Sequence, residues 1–211
     1  MNIKSYCRIT HGQVLLNGGL YHGYPHNEFI IHDFLSSLYT RIGADYRKFY
    51  KMDALSKLGF LSSELLLAGL DRETPKEDMG IILFNSSASL DADVKYQKTI
   101  QNKEDFFPSP SDFVYTLPNI VVGEIAIRNK IHGETVFYVL PEFQGDRICE
   151  IIRDTLTFSG MNRLLAGWTE VGAFDNTLSS MMFVCQKEEK NALLQLTPEN
   201  INKLYTNQIK T

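Results

Sequence analysis

Cysteine is scarce in this chain. Cys7, Cys149 and Cys185 are its only cysteines among 211 residues, too few and too scattered for a disulfide scaffold or a zinc site. Excess charge is also missing. The formal net charge is −4, with no basic cluster of the kind a nucleic-acid footprint needs, so no nucleic-acid partner is expected. No apolar run approaches the roughly 18 residues required to span a bilayer, and Met1–Tyr6 carries no signal-peptide core. No membrane span and a cytoplasmic location are expected. Internal repeats, low-complexity tracts and linkers are lacking too, which leaves residues 1–211 as a single domain of ordinary size, about 100–200 residues being usual. With 44% hydrophobic and 22% charged residues, the composition excludes disorder.

Met1–Ile9 is compatible with a first strand, although its alternation is poor. Residues 10–50 are aromatic-rich and irregular, with turn signals at Gly18-Gly19 and Gly23-Tyr24-Pro25, and predict loops with a short helix. From Asp53 to Leu70, leucines at 55, 58, 61, 65 and 66 recur at helical spacing. Gly80–Phe84 is a short, continuous apolar run, the pattern of a strand covered on both faces in a parallel sheet. Phe106–Pro110 reads as extended, fixed by its prolines.

Pro118 suits the first residue of a helix, where a missing N–H does no harm. Across Ile120–Ile127, apolar residues occupy nearly the whole circumference, with Glu124 and Arg128 on a narrow strip. Such a helix is buried on most sides, either against a second subunit or within its own chain. Thr135–Leu140 is a strand by composition, followed by a helix to about Phe158, a strand Arg163–Val171 and a last strand Met181–Cys185. A short helix near Pro198 and a polar tail complete the chain. Alternating strands and helices imply an α/β sheet with right-handed crossovers.

The helix after residue 142 divides into two faces. Asp146, Arg147, Glu150, Arg153 and Asp154 fall in an arc of about 120°, at about 100° per residue. Ile148, Ile151, Ile152, Leu156 and Phe158 occupy the other side, with Cys149 at its margin. Five charges under a second protein layer would each need a partner or cost several kcal/mol. The charged arc is therefore expected to face solvent.

The stretch Phe107–Thr135 resembles the region before the nucleophile of β-ketoacyl synthases, of thiolase type. A Pro-Asn pair (Pro118-Asn119) opens a helix, Ala126-Ile127 closes it, and a turn at Gly133 leads into a strand. Leu165-Ala166-Gly167-Trp168-Thr169-Glu170 is similar to that family's Leu-Ala-Gly-Gly-x-Glu strand end. The count from Gly133 to Gly167 needs no gap, and it puts Glu142 where the family has its catalytic cysteine. The resemblance covers roughly residues 50–190. It implies a thiolase-like half-domain: a mixed five-stranded sheet with helices on both faces, ending before the enzyme's second half. Trp168 departs from the family's glycine and would block the pocket. Asn85–Ser89 falls where condensing enzymes have a Ser-rich loop; it lacks the glycines and lysine of a phosphate loop.

A thiolate is a good nucleophile and thioester carrier, and a carboxylate is neither. No catalytic residue is therefore expected. Cys149, Cys185 and Cys7 read as packing residues. The histidines (11, 22, 26, 32 and 132) precede the positions where the family's paired imidazoles would lie. His22 and His26 stand at i, i+4, but Gly23, Tyr24 and Pro25 between them rule out a helical metal pair. Neither metal nor cofactor is expected.

The nearest resemblance is to chain length factors, the inactive partners of ketosynthases, so a non-catalytic partner of a full-length ketosynthase is expected, with acyl carrier protein engaged indirectly. By that resemblance the partner interface comprises Thr135, Phe137, Val139 and the helix Ile120–Ile127. Phe113 and Tyr115 would reach the partner's acyl tunnel. Two alternatives stand beside it: malonyl-thioester decarboxylation or acyl transfer through Glu142, which could equally be a capping carboxylate in a dead site, and a self-associating, acyl-binding homodimer.

Overall fold

A computed structural model describes residues 1–25, 29–104, 106–188 and 190–209. Its centre is one mixed sheet in the order β3-β2-β1-β7-β6-β4-β5. The strands are β1 (Asn2–Thr10), β2 (Gln13–Leu16), β3 (Gly19–Gly23), β4 (Met79–Asn85), β5 (Thr135–Val139), β6 (Arg163–Val171) and β7 (Leu178–Gln186); a short β8 (Leu194–Gln195) pairs with β1. β4, β5 and β6 run parallel, whereas β7 is antiparallel to both β6 and β1.

The five strands expected from the sequence, β1, β4, β5, β6 and β7, form the body of this sheet. β2, β3 and β8 extend it. Segment 10–50 is therefore more regular than its composition suggests. A hairpin (β2–β3) adds to β1, and α1 (Ile31–Ile42) follows. Both hairpin strands are short, with Val14 their one buried residue, and their partner β1 supplies the pairing that local sequence does not show.

Helices cover both faces. On one lie α1, α2 (Ala54–Leu66) and α5 (Ile120–Asn129); on the other lie α6 (Gly145–Phe158) and α7 (Pro198–Thr206). The Asp53 side chain caps α2, accepting a bond from the Ser56 amide at 3.0 Å. Every residue from Leu55 to Leu65 is buried, because α1, α5 and the sheet surround this helix. β4 is buried throughout, as its apolar run requires.

α3 (Leu90–Ile100) and α4 (Pro110–Val114) lie between β4 and α5. The chain at Pro110 is thus already helical rather than extended, with the Ser109 hydroxyl as cap. Pro118 stands two residues ahead of α5, in a turn, rather than at its first position.

Two glycines hold close crossings. A Cβ at Gly133 would lie 2.3 Å from the Met79 carbonyl oxygen. Gly167, within β6, has φ of +155°, and a Cβ there would lie 2.2 Å from the Met181 oxygen. They are the same two glycines that anchor the ungapped count to residue 142.

Candidate functional site

The carboxyl ends of β4, β5 and β6 meet at one rim of the sheet, the place where open parallel sheets present their binding crevice. β4 leads into the Asn85–Ser89 loop. There the Asn85 amide group both donates to the Ala88 carbonyl (2.8 Å) and accepts from the Ala88 amide (2.9 Å), holding Ala88 at φ +51°. Glu170, on β6, accepts from the Ser86 amide and hydroxyl, both at 2.8 Å, and from the Ser87 hydroxyl. The Ser-rich loop is thereby tied to β6 by a carboxylate.

β5 leads into Pro141 and Glu142. The helix begins only at Gly145, with Gln144 before it, so Glu142 lies in the turn, exposed and upstream of the first helical amides. It does not cap α6. Among the described residues its carboxylate has no hydrogen-bond or ion-pair partner.

Next to Glu142, Phe143 joins an aromatic cluster. Trp168 is 3% exposed. Its indole meets Phe143 edge-on at 5.6 Å between centroids, and Phe143 stacks flat on Tyr205 of α7 at 3.7 Å. Three aromatic rings from the β5–α6 turn, β6 and α7 thus pack together beside residue 142. The sequence points to Trp168 as an obstruction. The parts played by Phe143 and Tyr205 are invisible in it, because Tyr205 comes from a distant helix.

α6 presents the expected two faces. Ile148, Cys149, Ile152 and Leu156 are buried, and Asp146, Arg147, Glu150, Arg153 and Asp154 are all exposed. Arg153 also donates to the Leu196 carbonyl at 2.8 Å. Phe158 departs from the expectation: it is 83% exposed. It is the last helical residue before the Ser159–Gly160 turn, and Leu156 is the last side chain to reach the sheet.

The thiols are unsuited to covalent chemistry. All three are free and buried. Burial pushes Cys7 and Cys185 up from 9.0 to about 12, and Cys149 is raised by the same cause. Among the described residues, no group of three or more His, Cys, Asp or Glu side chains is placed to hold a metal. His22 lies 3.3 Å from the Ser37 hydroxyl, and His26 lies outside the described residues. No helix among the described residues is long and apolar enough to cross a membrane.

The residues expected at a partner interface gather at the β5 edge. Among the described residues β5 ends the sheet, bonded on one side to β4 and open on the other. Thr135 is exposed, Phe137 half-buried, and Val139 is 51% exposed. In α5, Val121, Val122 and Ile125 pack inward, Ile120 is half-buried, and Ile127 is 64% exposed. The helix is therefore buried in its own chain on one side and bare on another. Its polar strip is anchored rather than solvated. Glu124 accepts from the Tyr46 hydroxyl at 2.8 Å, and Arg128 reaches Glu64 at 3.2 and 3.3 Å.

Phe113 is exposed against Tyr96, whereas Tyr115 turns into its own chain. Burial, with Glu124 and Asp53 nearby, pushes the Tyr115 phenol up to about 12. Phe106, Phe107, Val114 and Leu117 add further exposed apolar surface along the same segment. Sequence reasoning missed these four; their signal is a run from 106 to 117 with few charges to solvate it.

No protein-family model matches the chain, and no curated protein matches it in sequence. Solved structures do match in shape. The ishigamide ketosynthase/chain length factor aligns with TM-score 0.57 and 16% identity over 90% of this chain and 63% of that one. A ketosynthase in complex with its chain length factor from Xenorhabdus doucetiae aligns with TM-score 0.59 and 12% identity, over 98% of this chain and 91% of that one. A beta-ketoacyl synthase from Burkholderia phymatum STM815 aligns at 0.57 and 12%, covering 89% of this chain and 59% of the other. The chain thus spans less than two thirds of the first and third of these, and nearly all of the second. This chain has the thiolase-like α/β fold found in ketosynthases and in chain length factors.

Proposed function

We propose that the chain is a non-catalytic, chain-length-factor-like subunit that pairs with a β-ketoacyl-[acyl-carrier-protein] synthase and shapes its acyl tunnel from across the interface. The observation that carries this reading is the conjunction at one edge of an open strand, β5, with exposed apolar side chains Val139, Ile127 and Phe113. An unpaired apolar edge invites strand pairing, and proteins that remain monomeric usually blunt such edges with charge or proline. β5 has neither.

The state of the condensing position agrees. An exposed carboxylate stands at residue 142, its thiols are buried, and Trp168, Phe143 and Tyr205 pack together beside it. Such a subunit contributes volume and surface, and the partner supplies the nucleophile. Acyl carrier protein is met through that partner. The similarity in shape to complexes that contain chain length factors supports the same reading.

The test is co-expression with a full-length ketosynthase, followed by affinity purification and mass measurement. The expected species is a one-to-one heterodimer. Val139→Asp places a charge at the carboxyl end of the edge strand, where it would be desolvated on pairing. It should weaken association at least about 100-fold, or about 2.7 kcal/mol, while leaving the subunit folded, because Val139 is half-exposed in the free chain. Retention of the complex by this variant, or a homodimer formed in preference to it, contradicts the proposal.

A further inference from the structure

Residues 106–117 carry Phe106, Phe107, Phe113, Val114 and Leu117, with Asp112 as their single charge. From 106 to 119, all of them described, no side chain is buried. Phe106 is 60% exposed, Phe107 79% and Phe113 52%. Since a phenylalanine offers roughly 200 Å², the three rings leave roughly 400 Å² of apolar surface bare. They are held in place. The Phe107 amide donates to the Thr99 carbonyl at 3.0 Å, the Phe113 ring lies 5.3 Å from that of Tyr96, and the Ser109 hydroxyl accepts from the Asp112 amide at 3.3 Å. Pro108 and Pro110 fix the backbone between them. A surface ordered in advance loses less entropy when a partner covers it.

This segment runs directly into the β5 side of the molecule. The Ile120 amide, at the start of α5, donates to the Leu117 carbonyl at 3.1 Å. Tyr115 and Phe137 of β5 pack on the same apolar cluster, and the Ser89 hydroxyl ties down the Thr116 carbonyl at 2.6 Å. By itself β5 is a small contact: its five residues make an edge about 17 Å long and one strand deep. A stable interface takes roughly 800 Å² from each partner. The three rings hold about half of that, next to an edge too short to supply it.

We infer that Phe106 and Phe107 are the apolar anchors by which this chain grips the ketosynthase, an inference that rests on the β5 pairing proposed above. Both rings are covered in the complex, and segment 106–117 supplies the area that the short strand lacks. The same surface cannot also hold a second copy of this chain, so the chain alone is a monomer.

Calorimetric titration with the full-length ketosynthase of the co-expression test decides it, for wild type and two double variants. Phe106→Ser with Phe107→Ser should weaken binding at least about 100-fold, since truncating one buried aromatic anchor costs about 30-fold or more. Phe106→Leu with Phe107→Leu keeps most of the apolar area and should lose less than about tenfold. Both variants should melt as wild type does, because neither ring is buried in the free chain. If the serine variant folds poorly, amide exchange of 106–117 in the wild-type complex replaces it: slowed exchange supports the anchors, and unchanged exchange with the partner bound overturns them. Val139→Asp separates the two readings. Binding lost in Val139→Asp but kept in the serine variant leaves the β5 pairing standing and overturns the anchors. No binding by the wild-type chain sinks the β5 pairing and the anchors with it. A dimer of the chain alone that the serine variant dissociates would put a second copy on the rings, which also overturns the inference.

Discussion

Replacing Trp168 with alanine should reveal how firmly the aromatic cluster beside residue 142 is packed. The indole is almost wholly buried and touches Phe143, which in turn stacks on Tyr205. Its removal withdraws apolar area from three elements and leaves a cavity that a strand and two helices cannot readily collapse around. Buried Trp→Ala changes cost about 3–5 kcal/mol, and for a domain of this size each kcal/mol lowers the melting temperature by about 2–4 °C. A fall of roughly 6–20 °C follows, with rigid neighbours placing the result in the upper half. The assay is thermal unfolding followed by circular dichroism, since the chain's single tryptophan is the residue removed. Added indole or benzene should recover part of the loss, because dry engineered cavities bind such rings. A loss below about 1 kcal/mol, with no recovery by indole, would mean that the ring does not hold that cluster together.

Three further outcomes are expected. Glu64→Gln removes the buried charge shared by Arg128 (3.2 Å) and Arg72 (3.0 Å); since Arg72 keeps about a third of its exposure, the cost should be about 2–3 kcal/mol in urea unfolding rather than the full 3–5 of a sealed pair. Gly167→Ala should prevent soluble expression or cost more than about 3 kcal/mol, as a methyl group cannot share the space of the Met181 carbonyl; wild-type yield and stability would refute this. Cys7 and Cys185 stay protonated in the fold to about pH 12, whereas in the unfolded chain they ionise near 9. Between those values the unfolded state binds fewer protons, so stability should fall as pH rises, by about 1.4 kcal/mol per pH unit for each thiol. The Cys7→Ala, Cys185→Ala double variant should flatten that slope between pH 9 and 11.

How much of this was legible in the sequence depended on whether local pattern and tertiary setting agreed. They agree for β4, whose unbroken apolar run is buried from end to end, and for α6, whose charged arc is exposed as its spacing implies. They disagree for β2 and β3. Gln13–Leu16 and Gly19–Gly23 have little strand character of their own and are ordered by pairing on β1. Phe158 shows the opposite failure: the periodicity that buries Leu156 continues past the point where the sheet ends. For the site, residue 142 was locatable by counting between Gly133 and Gly167. Its exposure in a turn was not, because the start of α6 at Gly145 has no capping signal. Glu124 and Arg128 look like a solvated strip in one dimension, and only the fold shows Tyr46 and Glu64 waiting for them.

Amide hydrogen exchange of Thr135–Val139, measured with and without a full-length ketosynthase, bears most directly on the open edge of β5. Pairing across that edge should slow exchange of its outward amides by the same factor as the complex is populated, with Ile127 and Val139 shielded alongside. Unchanged exchange in β5 while the two proteins remain bound would put the contact elsewhere and contradict the account.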